Sequence, residues 1–263
     1  MDILFIILLI FASIFIGIFF LLKKRKLPIL EPLPETYRQL LQEHVNFYSQ
    51  LNDVKKREFE KRIELFLSQV RITGIKTEVE ALDKVLIAAS AIIPIFGFPE
   101  WQYLNLHEVL LYPQSFSHDL ELDGPHRNTT GMVGTGAYQN IMILSQQELR
   151  QDFLNKSGKD NTAIHEFVHL IDKTDGSVDG IPEFIVDKQY IMPWLKLMHR
   201  EIKQIMNNHS DINPYGATNE AEFFAVVSEY FFERPDLLQI KHPELYNLLV
   251  TIFRQRPKNT GKK

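Results

Sequence analysis

Hydrophobic residues recur at helical spacing through most of this chain. Phe59, Ile63, Phe66, Leu67 and Val70 share one face with Lys, Arg and Glu between them, which predicts an amphipathic helix. Residues 79–93 are apolar over most of their surface and predict a central buried helix ended by Pro94. The period shortens in "HEVLLYP" (107–113) and "NIMILS" (140–145), which read as strands bounded by turn formers. Helical spacing returns over 146–154, 162–173, 188–207, 221–232 and 242–253. Between the two strands, residues 114–139 are polar, with four glycines and a proline, and predict a long functional or mobile loop. This order predicts a mainly helical α+β fold with a small sheet.

The N-terminus follows a different pattern. From Ile3 to Leu22 no charge interrupts the apolar run, and about 20 such residues cross ~30 Å of hydrocarbon as a helix. Lys23, Lys24, Arg25 and Lys26 follow at once, whereas only Asp2 precedes the run. That bias predicts a transmembrane anchor over 1–26, inserted in the bilayer through residues 3–22, with the domain that follows on the cytoplasmic side. Residues 27–51, with Pro28, Pro32 and Pro34, are expected to be a linker and lead-in; 52–257 form the domain proper and 258–263 a basic tail.

Composition narrows the chemistry. The net charge of −4 gives no basic excess for a nucleic-acid surface, so no nucleic-acid partner is expected. The chain has no cysteine, which excludes disulfides and thiolate metal sites.

"AIHEFVHLID" (163–172) carries the strongest chemical signal. His165 and His169 are four apart, so on a helix they stack on one face and can aim both imidazoles at a single ion. Glu166 lies one residue round from the first histidine, within reach of a water at the metal without being a ligand itself. This is the content of the H-E-x-x-H motif: two zinc ligands and a general base on one helical turn. The neighbours Ala163, Ile164, Phe167, Val168, Leu170 and Ile171 are apolar, and polar groups buried among them need partners.

A third ligand must come from elsewhere. In "YGATNEAEFFAVVSEYFFERP" (215–235), Glu222 and Glu229 are seven apart and share a face of an otherwise apolar helix. One of the two carboxylates can complete the zinc site while the other holds a histidine ring from behind. Glu220, at the start of that helix, suits the helix dipole instead. Asp172, three residues beyond His169, is a candidate brace for a ligand or an ordinary helix-end carboxylate.

Together "HEVLLYP", "IMILS", "HEFVHLID" and "YGATNEAEFFAVVSEYFF" resemble the Mlc titration factor A family of zinc-dependent peptidases, over residues 52–257. The resemblance implies a zincin-like metallopeptidase domain with one zinc ion per chain, the third ligand falling on Glu222. It also implies a catalytic tyrosine at Tyr215, a peptide or protein substrate, and activity of aminopeptidase type. The family's namesake binds a transcriptional repressor. A regulatory protein partner is therefore the implied alternative role for the same fold.

With these residues the expected chemistry is peptide-bond hydrolysis. His165, His169 and Glu222 hold the metal, Glu166 moves the proton, and Tyr215 hydrogen-bonds the developing oxyanion. Glu229 and Asp172 stand behind the ligands. "NIMILS" is expected to be an edge strand that pairs with the substrate backbone.

Overall fold

The computed structural model describes residues 32–117, 129–134, 140–155 and 157–258. Helices α1 (Glu35–His44) and α2 (Asn46–Ser49) lead into α3 (Asp53–Gln69), whose first turn is capped by the Asn52 side chain accepting the Lys55 N–H. Strand β1 (Arg71–Gly74) follows, then α4 (Ala81–Ile95). Pro94 lies inside the last turn of α4 rather than ending it. Strands β2 (Glu108–Tyr112), β3 (Gly131–Val133) and β4 (Ile141–Ser145) then precede α5 (Gln146–Leu154) and α6 (Thr162–Asp172). The remainder is helical: α7 (Lys188–Met206), α8 (Glu220–Glu233), α9 (Pro235–Lys241) and α10 (Pro243–Phe253).

The sheet order is β1-β2-β4-β3, parallel except for β3, which runs antiparallel to β4. Alternation along the strands sorts their side chains. Val109, Leu111, Met142 and Leu144 enter the main core, whereas Ile143 turns to a small second cluster with Tyr112 and Phe116. Helix α4 is buried along nearly its whole length because it has no polar face, and it contacts α1, α3, α5, α6 and α8. Leu41, Val45 and Tyr48 of the lead-in are also in this core.

Two expectations are corrected by this architecture. "NIMILS" is not an edge: β4 hydrogen-bonds to β2 on one side and to β3 on the other. The short strand β3, inside the stretch read as loop, takes the edge position; 118–128 and 135–139 of that stretch lie outside the described residues. The expected transmembrane helix gains no support either. Among the described residues no helix is long and apolar enough to cross a membrane. Even α7, at 19 residues, carries Lys188, Lys196, Arg200, Glu201 and Lys203. The apolar run at 3–22 lies outside the described residues, so the membrane anchor and the single-pass, cytoplasm-facing placement are withdrawn.

Away from the sheet, a charged knot ties α7, α8 and the last helices together. The Asp211 carboxylate accepts from Lys159, Lys241, His242 and the Tyr230 hydroxyl, and His242 also meets Glu201 at 3.1 Å. Burial works against the charge on Asp211, but these hydrogen bonds outweigh it and hold its pKa well below the usual carboxylate range. The bond to His242 likewise lowers Glu201, and the bond to Glu201 raises His242. Depressed carboxylates contribute stability that is present above their unfolded pKa, near ~4, and is lost as pH falls through the folded value. A raised histidine contributes stability that is full below ~6.5 and is lost as pH rises through its folded pKa. The knot should therefore stabilise most between about pH 5 and 6.5. Asp211→Asn should flatten the acid side of a melting-temperature-against-pH curve, and an unchanged curve would contradict this account.

Candidate metal centre

Helix α6 is capped by Asn161, whose side chain accepts the Ile164 N–H at 3.1 Å. The same fully buried residue gives its backbone N–H to Glu229 Oε2 (2.5 Å) and its side-chain NH₂ to Glu233 Oε1 (2.8 Å). One side chain thus caps α6 and ties it to α8. Ala163, Ile164, Phe167, Val168 and Ile171 face the core, leaving His165, Glu166 and His169 on the opposite side of α6. Helix α8 packs alongside and brings Glu222 and Glu229 to the histidines.

A second tie closes the other end. Gly180 gives its N–H to Asp172 Oδ2 at the end of α6 and its carbonyl accepts the Trp194 indole N–H of α7. Its φ is +75°, and a Cβ there would stand 2.3 Å from the Glu220 carbonyl oxygen at the start of α8. Only glycine fits. Gly180→Ala should cost about 2 kcal/mol or more, combining left-handed backbone strain with a backbone clash. A urea-unfolding midpoint equal to that of the unsubstituted chain would refute this.

The ligand atoms converge tightly. His165 Nε2 lies 2.9 Å from Glu222 Oε2 and 3.0 Å from His169 Nε2, and His169 Nε2 lies 3.4 Å from Glu222 Oε2. The imidazole rings stand nearly perpendicular, at 82°. Bonds of ~2.0–2.2 Å to a tetrahedral zinc ion keep ligands ~3.3 Å apart, so this donor set fits the ion with small adjustments. Among the described residues these three form the one group of histidine, aspartate and glutamate side chains close enough together that it could hold a metal.

Electrostatics agree with a cation there. Burial opposes charge on His165, yet Glu222 and Glu229 reverse the balance and hold its pKa far above the usual histidine value. Burial likewise opposes charge on Glu222, and the two histidines reverse it, keeping the carboxylate ionised. The cluster wants positive charge at its centre.

The expected flanking residues divide. Glu229 Oε1 sits 2.6 Å from His165 Nδ1, behind that ring. Asp172 Oδ2 accepts the Gly180 N–H, while its Oδ1 and His169 Nδ1 are both buried without a hydrogen-bond partner among the described residues. Glu166 is buried, and burial pushes its carboxyl pKa up. Tyr215 stands on the short 3-10 turn Pro214–Ala217 just before α8, 53% exposed, with its ring centroid 6.0 Å from that of His165. Burial and the charges of Glu222 and Glu166 raise its hydroxyl pKa.

Two contributors were missed in the sequence. Gly131 of β3 passes so close to α6 that a Cβ would meet Glu166 Cγ and Thr162 Cγ2 at 2.8 Å. Asn161 was legible only as a polar residue before an apolar helix, the ordinary mark of a cap.

Comparison with known proteins bears on this geometry. The family model for the glucose-regulated metallo-peptidase M90 matches residues 21–254. An uncharacterized protein of Synechocystis sp. is 31% identical over 83% of this chain and 83% of its own length. Mlc titration factor A of Salmonella arizonae is 32% identical over 74% of this chain and 81% of its own length, and that of Pectobacterium atrosepticum 29% over 79% and 82%. The family model matches most of the chain, its name implies a metal ion, and three side chains here could hold one: this chain belongs to the glucose-regulated metallo-peptidase M90 family.

Proposed function

We propose that this metallopeptidase hydrolyses peptide bonds at zinc held by His165, His169 and Glu222, with Glu166 as general base. The convergence of three ligand atoms beside a buried glutamate that is not one of them carries the reading. Zinc, when bound, supplies a Lewis acid for the scissile carbonyl and lowers the pKa of water.

The chain's own residues do the rest. Glu229 takes the Nδ1–H of His165, which leaves Nε2 as the nitrogen that would hold the ion. Glu166 accepts a proton from the attacking water as the water oxygen bonds to the carbonyl carbon. Burial pushes its carboxyl pKa up, which helps the carboxyl keep the proton until it is returned. That return goes to the amine nitrogen as the C–N bond breaks. Tyr215 keeps its proton because its pKa is raised, and donates to the developing oxyanion. Strand β3 is the outer strand beside Glu166, and an extended substrate pairs along it.

The purified chain should cleave an unstructured protein substrate, lose that activity to a chelator and regain it with zinc. Peptides with free and blocked N-termini then sort aminopeptidase from endopeptidase action. Absence of cleavage under all these conditions would favour the second reading, a regulatory protein that docks a partner. The relatives' name, Mlc titration factor A, is what speaks for it.

A further inference from the structure

A cavity of about 1220 Å³ opens beside the C-terminal end of α6, with Trp101, Leu104, Leu106, Leu170 and Phe184 among its walls. Its position relative to the metal centre follows from helix geometry. Thr162, Glu166 and Leu170 are spaced by four and lie on one face of α6. The first two bear against Gly131 of β3, and the third lines the cavity. Strand β3 leads to the same place. Its Val133 end pairs with Met142, the Gly134 N–H bonds to the Ile141 carbonyl, and Asn140 lines the cavity. The cavity therefore begins where β3 and the Glu166 face of α6 run out.

We propose that this cavity continues the cleft and receives a segment of the peptide substrate that carries large apolar side chains. The inference rests on the peptidase reading and specifies its substrate class. Three observations select the occupant. Leu104 and Phe184 are 74% and 59% exposed, an apolar surface that a covering partner would remove from water. The volume exceeds the ~300–1,000 Å³ of small-molecule pockets, so it fits a stretch of chain rather than a compact ligand. Glu100 and Asp175 on the walls are balanced by Lys173 and Arg254, so no net charge selects a charged side chain.

The test uses the full chain with Glu166→Gln, which binds without cleaving, and fluorescence anisotropy. Two short fluorescein-labelled peptides of one design serve as probes, one with Leu and Phe and the other with Ser and Gln at the same positions. The apolar peptide should bind roughly tenfold tighter or more, and adding Leu104→Asp with Phe184→Asp should remove that advantage. Both residues are exposed, so the fold should tolerate the changes, and a thermal melt checks it. Equal affinity for the two peptides overturns the proposal whatever the variant does. So does an apolar preference that survives both substitutions. In the unsubstituted chain, cleavage with no apolar preference removes the groove and leaves the peptidase reading intact. Apolar binding that depends on Leu104 and Phe184, in a chain that cleaves nothing, removes the peptidase reading and keeps the groove.

Discussion

Replacing Glu166 by Gln should lower the hydrolytic rate by about 10² or more while the fold and the bound metal persist. The amide has nearly the size of the carboxylate and can still hydrogen-bond, but it cannot accept a proton from water. Glu166 is buried on α6, pressed by Gly131, and is not among the three convergent ligands, so the exchange disturbs neither helix packing nor metal ligation. Turnover on a protein substrate, alongside metal content and a melting curve, measures the outcome. Undiminished turnover in a metal-loaded variant would end the assignment of Glu166 as the base.

Removing a ligand should act differently. His165→Ala, His169→Ala and Glu222→Ala should each strip most of the metal and nearly all activity, because a catalytic zinc site with two remaining protein ligands holds its ion weakly. Glu229→Gln should be milder. It keeps an acceptor for His165 Nδ1 but loses the charge, and changes of this kind behind a ligand cost 10–100-fold in metal affinity. Metal analysis of the four purified variants decides the ranking. Full zinc occupancy in Glu222→Ala would transfer the third ligand elsewhere.

The parts of this structure that were legible in the sequence are those with a period. Residues 146–154 and 162–173 gave helices because apolar positions recur over several turns, and α5 and α6 lie there. Glu222 and Glu229 stood out because two carboxylates on an apolar helix need partners, and both meet His165. What lacked a period was lost. Strand β1 has four residues and β3 three, too short for alternation to register, and β3 sits among polar residues that resemble a loop. Missing β3 made β4 look like an edge. Gly180 was invisible for another reason: its role exists only where α6, α7 and α8 meet. The apolar N-terminal run lies outside the described residues, and among those no helix is long and apolar enough to cross a membrane.

The ligand set has a consequence for how the chain reaches its native state. Glu222 is 57 residues from its partner His165, and all of α7 lies between them. In the unfolded chain Glu222 is therefore remote from the two histidines, and closing so long a loop carries an entropic cost that only completed packing offsets. Metal affinity belongs to the folded state almost alone. Each tenfold rise in free zinc above the dissociation constant then adds ~1.4 kcal/mol to the stability of the fold. With zinc held as proposed, the melting temperature should rise with zinc supply, and a chain short of zinc should be the one first opened to degradation.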